Sequence, residues 1–306
     1  MLRNQAYLDA EARVFHRFGL APTVRTLAPT LGPTQPSVRL RVVEVGRGEP
    51  VLFLHGFSLC VANWAPLVHR LPDVRSIMLD LPGHGAADAV DFRGVDLRAW
   101  IDAMLTGCLD SLGLDAVHVV GHSQGAMFAL WLALAAPERV RSVVAIGVPA
   151  VAFGSRIEAL RFLARPRLGP LMLWMPMPKP AYRRVLAGTM GEAAIRDYPD
   201  LVRATYLATH RSGYATTVSS ELRELFRGAD AEPPRYALRD DELRRITQPV
   251  LVLWGEGDTG FQALTDAKAR AELMPHSRFE VTAGEHSPWL DDPEECASRM
   301  ALLYTS

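Results

Sequence analysis

The sequence predicts an α/β fold, a mostly parallel central sheet flanked by helices, on the strength of three observations. Short apolar runs alternate along the 306 residues with longer segments of helical periodicity. Several of these runs are continuously apolar, as strands buried on both faces of a parallel sheet are. Most of the runs are bounded by glycine or proline, which interrupt regular structure. These observations predict a core in which helices cover a central sheet.

The individual elements can be assigned from the same pattern. The predicted strands are Val38–Val45, Val51–His55, Ser76–Asp80, Val117–Val120, Val143–Ile146, Val250–Trp254 and Arg278–Val281. Helices are predicted over Leu97–Leu112 and Gln124–Ala136, where apolar residues recur at helical spacing.

The alternation of strands and helices stops after Val148 and resumes at Thr247. The intervening stretch has helical periodicity that is repeatedly broken by proline. We therefore predict that a helical cap, residues 150–239, is inserted into a core formed by residues 1–149 and 240–306. Its methionine-rich segment, Leu168–Pro178, is interpreted either as a mobile lid or as packing inside the cap.

Composition and charge exclude several classes of protein. Hydrophobic residues make up 49% and charged residues 22% of the chain, which is ordinary for a globular protein. A net charge of −1 provides no overall attraction to nucleic acid or to an anionic membrane. The longest uncharged apolar run, Ala126–Ala136, has about half the length that a membrane span needs. We predict a small-molecule substrate as the partner, with no nucleic acid and no membrane span.

The cysteines and the N-terminal residues indicate the cellular compartment of the protein. Cys60, Cys108 and Cys296 are far apart and form no C-x-x-C pair, so neither a disulfide framework nor a zinc site is predicted. The first twenty residues carry charges where a secretory signal would have an apolar core. A cytoplasmic protein with reduced thiols is the expectation.

The motif Gly121-His-Ser-Gln-Gly125 carries the clearest chemical signal. It follows an apolar strand and opens an apolar helix, which is the context of a nucleophile elbow. The sharp turn holds its serine in a strained backbone conformation, and a side chain on either flanking position would collide with a neighbouring strand or helix. Ser123 is therefore the candidate nucleophile.

A serine hydroxyl needs a base to take its proton, and the base needs an acid to orient it. Asp258 follows the strand Val250–Trp254, and His286 follows the strand that ends near Val281. Both positions lie at strand ends, where this architecture places its sites, and the order Ser, Asp, His is the expected one. We predict a triad of Ser123, His286 and Asp258.

The remaining catalytic component is an oxyanion hole made of two backbone N–H groups. The predicted donors are the amide of Gln124, directly after the nucleophile, and the amide of Phe57, after the strand Val51–His55. The predicted substrate pocket is lined by Ser58, His122, Phe128, Trp174 and Trp289.

Several polar residues near these motifs are interpreted as structural. The imidazoles of His55, His84 and His122 belong to loops or turns and are expected to be satisfied there. Asp80 is expected to hold the turn Pro82–Gly85 through backbone amides.

Taken together, these motifs resemble the α/β-hydrolase superfamily, in its capped branch of esterases, epoxide hydrolases, haloalkane dehalogenases, cofactor-free haloperoxidases and carbon-carbon bond hydrolases. The resemblance rests on His55-Gly-Phe, Asp80-Leu-Pro-Gly-His-Gly85, Gly121-His-Ser-Gln-Gly125, Gly255-Glu-Gly-Asp258 and Gly284-Glu-His286. Family members that open epoxides or displace halide have an aspartate on the elbow, so Ser123 excludes both chemistries. The alternative position for the acid, after the sixth strand, reads Gly147-Val-Pro-Ala150 here and has no carboxylate.

The resemblance implies a serine hydrolase that needs no cofactor and no metal. Hydrolysis of a carboxylic ester or lactone through an acyl-enzyme is the main expectation. Carbon-carbon bond hydrolysis is a second possibility, although the chain has Phe57-Ser-Leu-Cys where those enzymes have a Gly- and Pro-rich loop. Cofactor-free perhydrolysis and a ligand-binding protein with a retained triad also stay open.

Overall fold

The computed structural model describes residues 2–33, 35–148, 163–165, 168–175, 177–226, 235–258 and 264–304. Four parts of the predicted cap, residues 150–162, 166–167, 176 and 227–234, lie outside these ranges.

Strands of the described residues form one sheet in the order β1-β2-β4-β3-β5-β6-β7-β8. They are β1 (Thr23–Leu27), β2 (Leu40–Val45), β3 (Glu49–Leu54), β4 (Val74–Asp80), β5 (Val117–His122), β6 (Val140–Ile146), β7 (Val250–Gly255) and β8 (Ser277–Thr282). Strand β2 pairs antiparallel with β1 and β4, and every other pairing is parallel. The predicted α/β fold with a mostly parallel sheet is confirmed.

The central strands are buried on both faces, which explains their continuous apolar sequences. All six residues of β5 and all six of β7 are buried. Along β3 the side chains alternate between two hydrophobic clusters, with Leu52 and Leu54 in one and Val51 and Phe53 in the other. The core therefore consists of two apolar layers with the sheet between them.

Helices cover the sheet and form most of the described part of the predicted cap. They are α1 (Leu2–Arg17), α2 (Ala65–Val68), α3 (Leu97–Leu112), α4 (Gln124–Ala135), α5 (Leu168–Trp174), α6 (Lys179–Met190), α7 (Glu192–Asp197), α8 (Pro199–Thr209), α9 (Tyr214–Leu225), α10 (Asp240–Arg245), α11 (Leu264–Ala271) and α12 (Pro293–Tyr304). None of the helices among the described residues has the length and apolar character of a bilayer span.

Helix α3 begins and ends at the predicted residues, because a residue that favours a helix end is present at both termini. Asp96 accepts a hydrogen bond from the Ala99 amide at 3.3 Å and caps the N-terminus. Gly113 follows the last turn in the left-handed conformation, with φ +67°.

Helix α9 is fixed to the core by side chains that serve a neighbouring loop. The hydroxyl oxygens of Thr217 and Ser220 accept hydrogen bonds from the Val90 and Phe92 amides at 2.9 and 3.0 Å. The carboxylate of Glu224 accepts one from the Gly94 amide at 2.9 Å. These residues recur every three or four positions, so one face of α9 lies along the loop after β4.

Candidate active site

The predicted elbow has the geometry that its sequence requires. Ser123 lies between β5 and α4 with φ +50° and ψ −115°, a conformation that L-residues rarely adopt. A Cβ on Gly121 would collide with the carbonyl of Gly125, and a Cβ on Gly125 would collide with the carbonyl of Leu54 at the end of β3. The Ser123 amide donates to the Ile146 carbonyl at 2.8 Å, which ties the elbow to β6. Glycine at both flanking positions thus permits the turn.

Asp258 and His286 meet at the same edge of the sheet. His286 Nδ1 lies 2.6 Å from Asp258 Oδ2, and both side chains are almost completely buried. The carboxylate accepts the Nδ1 proton, so in the neutral imidazole Nε2 carries the lone pair. This tautomer is the one that a general base needs.

Backbone contacts hold the loops of Asp258 and His286 together. The Gly257 amide donates to the Gly284 carbonyl at 2.9 Å, and the Glu256 amide donates to the Thr282 carbonyl at 2.9 Å. A Cβ on Gly255 would collide with the Glu285 carbonyl. The ends of β7 and β8 therefore approach closely enough to pair the two side chains.

His122, next to Ser123, joins the elbow to the His286 loop. Its Nε2 donates to the backbone carbonyl of His286 at 3.0 Å, and the two imidazole rings are 4.8 Å apart. Burial lowers the pKa of His122 well below its usual value, and repulsion from His286 lowers it further. His122 is thus a neutral imidazole that connects the elbow to the His286 loop. This agrees with the interpretation of His122 as a structural residue.

The loop of Phe57 passes close to the elbow. A Cβ on Gly56 would lie 3.1 Å from the Ser123 Cβ. Ser58 has φ +63°, so the two non-glycine residues with positive φ among the described residues are both in this region. Gln124 is the first residue of α4, and its amide has no acceptor within the helix. The residue before Phe57 thus passes close to Ser123, and Gln124 follows Ser123 in the chain; their role as oxyanion donors stays a prediction.

The remaining predicted structural residues have well-defined partners. His55 Nε2 accepts from the Leu81 amide at 3.0 Å, and its Nδ1 lies 2.9 Å from the Gly56 carbonyl. Burial lowers the pKa of His55 to about 4, so the imidazole is neutral. Asp80 accepts from the Ala86 amide at 2.9 Å, which holds the turn from Pro82 to Gly85 as predicted.

His84 has a hydrogen-bond partner among the described residues at only one of its two ring nitrogens. Its Nδ1 lies 2.9 Å from the Pro82 carbonyl, and Nε2 has no hydrogen-bond partner among the described residues. Burial, and secondarily the neighbouring His55, lower the pKa of His84 to about 3. The ring contacts Tyr214 edge-on, with centroids 5.2 Å apart.

The three aromatic side chains predicted to line the pocket differ in their surroundings. Phe128 is fully buried within a hydrophobic cluster, because α4 packs its whole circumference between the sheet and α3. Trp289 is also fully buried; it stacks on Trp64 with centroids 4.6 Å apart and donates to the Asn63 carbonyl. Trp174 is 78% exposed on α5. A role of these residues in a substrate pocket stays a prediction.

The structure adds two residues that the sequence pattern did not single out. Glu221 accepts a hydrogen bond from the side-chain amide of Gln124, and the Tyr214 hydroxyl lies 2.9 Å from the Ser58 hydroxyl. Both residues are buried on α9. Periodicity is the signal that could have found them, because Glu221 interrupts the apolar stripe of Tyr214, Val218 and Leu225.

A serine, a histidine and an aspartate at one edge of the sheet are side chains that acyl-transfer chemistry can use. Among the residues that the structure describes, no group of three or more His, Cys, Asp or Glu side chains could hold a metal ion. The cysteines are buried free thiols.

Comparison with known proteins places this geometry in a family. Residues 51–299 match the model of the Alpha/beta hydrolase family. The dihydrolipoyllysine-residue acetyltransferase component of the acetoin cleaving system of Cupriavidus necator is 38% identical over 247 residues, which are 78% of this chain and 58% of that protein. The 2-(acetamidomethylene)succinate hydrolase of Mesorhizobium japonicum is 31% identical over 251 residues, 81% of this chain and 84% of that protein.

Solved structures agree on the fold. Naproxen esterase from Bacillus subtilis has a TM-score of 0.75 at 18% identity, with 97% of this chain and 96% of that chain covered. A thermophilic esterase from Thermogutta terrifontis has a TM-score of 0.74 at 22% identity, with 92% and 98% covered. With the family match spanning most of the sequence, this chain belongs to the Alpha/beta hydrolase family.

Proposed function

We propose that this protein is a serine hydrolase that cleaves carboxylic esters or lactones through an acyl-enzyme. Ser123 is the nucleophile, His286 the general base and then the general acid, and Asp258 the residue that orients His286. The observation that carries the proposal is the 2.6 Å contact between His286 Nδ1 and Asp258 Oδ2, at the sheet edge where Ser123 occupies a strained elbow.

The proposed reaction begins when His286 Nε2 accepts the Ser123 proton while the serine oxygen attacks the substrate carbonyl. The imidazolium that forms is stabilised by the buried Asp258 carboxylate. His286 then protonates the leaving alkoxide as the carbon-oxygen bond breaks. In the second half, His286 takes a proton from water as the water oxygen attacks the acyl carbon. The bond from the acyl carbon to Ser123 Oγ then breaks, His286 returns its proton to Oγ, and the carboxylic acid is released.

Both tetrahedral intermediates carry negative charge on the former carbonyl oxygen. We propose that the amides of Phe57 and Gln124 donate to this oxygen. Two observations support this: Gly56, the residue before Phe57, passes next to the Ser123 Cβ, and Gln124 begins α4 directly after Ser123. Removing one such donor typically costs about 100- to 1000-fold in kcat.

The substrate class is supported by several of the similar proteins. Both solved structures described above are named esterases. A relative from Klebsiella pneumoniae, named 2-hydroxy-6-oxononadienedioate/2-hydroxy-6-oxononatrienedioate hydrolase, is 27% identical over 72% of this chain. Ester and carbon-carbon bond cleavage share the attack on a carbonyl, so the same triad serves both. The proposed cap, residues 150–239, would then determine which substrates reach Ser123.

Intact-mass labelling with an alkyl fluorophosphonate tests the triad without knowledge of the substrate. Wild type should gain one adduct, and Ser123→Ala and His286→Ala should gain none under the same conditions. Ser142→Ala is the matched control, since Ser142 is also a buried serine of the core, bonded to His118. It should label like the wild type.

Two results would overturn the proposal: a folded wild type that takes no adduct, or a Ser123→Ala variant that still takes one. Turnover of p-nitrophenyl esters, aliphatic lactones and a vinylogous 1,5-diketone then separates the substrate classes. We expect the esters and lactones to be hydrolysed. Cleavage of the diketone alone would make the protein a carbon-carbon bond hydrolase.

A further inference from the structure

Helix α9 contacts both sides of the proposed oxyanion hole. The Tyr214 hydroxyl lies 2.9 Å from the hydroxyl of Ser58, the residue after Phe57. Glu221 Oε1 accepts from the side-chain amide of Gln124, the other proposed donor. Tyr214 and Glu221 are seven positions apart, which is about two helical turns, so both lie on the same face of α9.

The helix that carries these two residues is firmly held. Thr217, Ser220 and Glu224 accept amide hydrogen bonds from the loop that follows β4. Gly83 passes so close to Thr217 that a Cβ would lie 2.5 Å from its Cβ. Tyr214 and Glu221 therefore project from a fixed support toward the elbow.

The Glu221 carboxylate is buried in an environment that lowers the stability of the folded protein. The residue is 3% exposed, and no cation of the described residues forms an ion pair with its carboxylate. Burial raises the pKa of Glu221 to about 7, although the hydrogen bond from Gln124 lowers it. An unpaired buried carboxylate costs folding free energy, and such groups concentrate at functional sites.

We propose that Glu221 and Tyr214 are positioning residues that hold the Gln124 and Phe57 amides in line with the developing oxyanion. This inference rests on the proposed function. Glu221 holds the end of the Gln124 side chain and so restrains the first residue of α4, whose amide is the proposed donor. Tyr214 restrains Ser58, whose positive φ marks the strained turn directly after Phe57.

The inactivation kinetics of the same fluorophosphonate test this proposal, because its phosphonyl oxygen occupies the oxyanion hole as the adduct forms. The maximal rate kinact reports stabilisation of that transition state, and KI reports binding beforehand. Glu221→Ala should lower kinact by about 10-fold, less than the loss of a whole donor, with KI within about 2-fold of wild type. Glu221→Gln should recover part of the rate, since its amide oxygen can accept from Gln124.

Tyr214→Phe should lower kinact by a smaller factor than Glu221→Ala. Glu224→Gln is the control on the same helix, because Glu224 is buried and bonds the Gly94 amide away from the elbow. It should leave kinact unchanged. The melting temperature of Glu221→Gln should equal or exceed that of wild type at pH 8, where a purely structural glutamate would give a lower value.

The inference is wrong if Glu221→Ala inactivates at the wild-type kinact, or if only KI rises. It is also wrong if Glu221→Gln melts below wild type and loses no more activity than Glu224→Gln. A wild type that takes no adduct defeats the proposed function itself. Labelling of wild type and Glu221→Ala at equal rates defeats only the positioning role.

Discussion

Two clusters of buried polar residues in this molecule differ in how their charges are balanced. In the N-terminal cluster, formed by Tyr7, Glu11, Arg41 and Asp80, Arg41 bonds both carboxylates and Tyr7 donates to Glu11 at 2.6 Å. In the elbow cluster, formed by Gln124, Glu221, Asp258 and His286, each carboxylate has one described side-chain partner, and neither partner is a lysine or arginine.

The pKa shifts reflect this difference. Burial lowers the pKa of Arg41, but attraction to Asp80 and Glu11 more than offsets this and raises it, so the guanidinium stays charged. Burial raises the pKa of both Glu11 and Glu221, but only at Glu11 does a cation, Arg41, lower the pKa in part. A fully paired cluster joins α1 to the sheet. The sparsely paired one is the cluster that transfers protons in the proposed mechanism.

The largest expected effect is on catalysis at the elbow cluster. Asp258→Asn should lower kcat/KM for a turned-over ester by about 10⁴-fold, because an amide favours the wrong His286 tautomer while the fold is retained. Ester hydrolysis and a melting curve on the same preparation measure both quantities. A loss below about 10-fold would show that another group orients His286.

The next effect is on stability at the N-terminal cluster. Arg41→Met should lower the free energy of unfolding by about 3–5 kcal/mol, because Glu11 and Asp80 would be left buried without their cation. Urea denaturation measures it. Arg39→Met is the control, since Arg39 pairs with Asp88 in an exposed ion pair, and it should have no measurable effect. Equal stability of the two variants would show that the N-terminal cluster does not support the fold.

The smallest effect concerns the pH dependence that Glu221 confers. Its folded-state pKa of about 7 lies above the ordinary value of 4.5, so the folded state binds the proton more tightly than the unfolded state. The resulting stability is complete below about pH 4.5 and lost as pH rises through about 7, up to about 3 kcal/mol.

Urea denaturation of wild type and Glu221→Gln at pH 5 and pH 8 measures this contribution. The wild type should lose stability relative to the variant between these two values. The other titratable side chain near Glu221 is Tyr214, whose pKa burial raises further above 10, so it stays protonated throughout. A constant difference between the two proteins would mean that Glu221 does not titrate in this interval.

Much of the core could be predicted because its strands are buried on both faces. The seven predicted strands are all present, with ends that differ by up to three residues; β6, for example, begins at Val140 instead of Val143. Strand β1 was not predicted, because four of its five residues are exposed and show no apolar pattern. Helix α1 was also missed, although Tyr7, Ala10 and Val14 recur at helical spacing and are buried.

The elbow could be predicted to the residue, because glycine collisions and a strained serine constrain the local sequence. Contacts between segments that are far apart in the sequence could not be predicted. Gln124 and Glu221 are 97 positions apart, and their hydrogen bond depends on how α9 lies on the loop after β4. The surroundings of Phe128 and Trp289 could not be predicted either, since sequence proximity to a motif does not show which face a side chain occupies.

The most direct test of the central claim is a crystal structure of the protein after reaction with the fluorophosphonate. We predict a covalent bond from Ser123 Oγ to phosphorus, with the phosphonyl oxygen about 3 Å from both the Phe57 and the Gln124 amide nitrogens. His286 should remain bonded to Asp258. An adduct on another residue, or a phosphonyl oxygen that faces away from these two amides, would contradict the account.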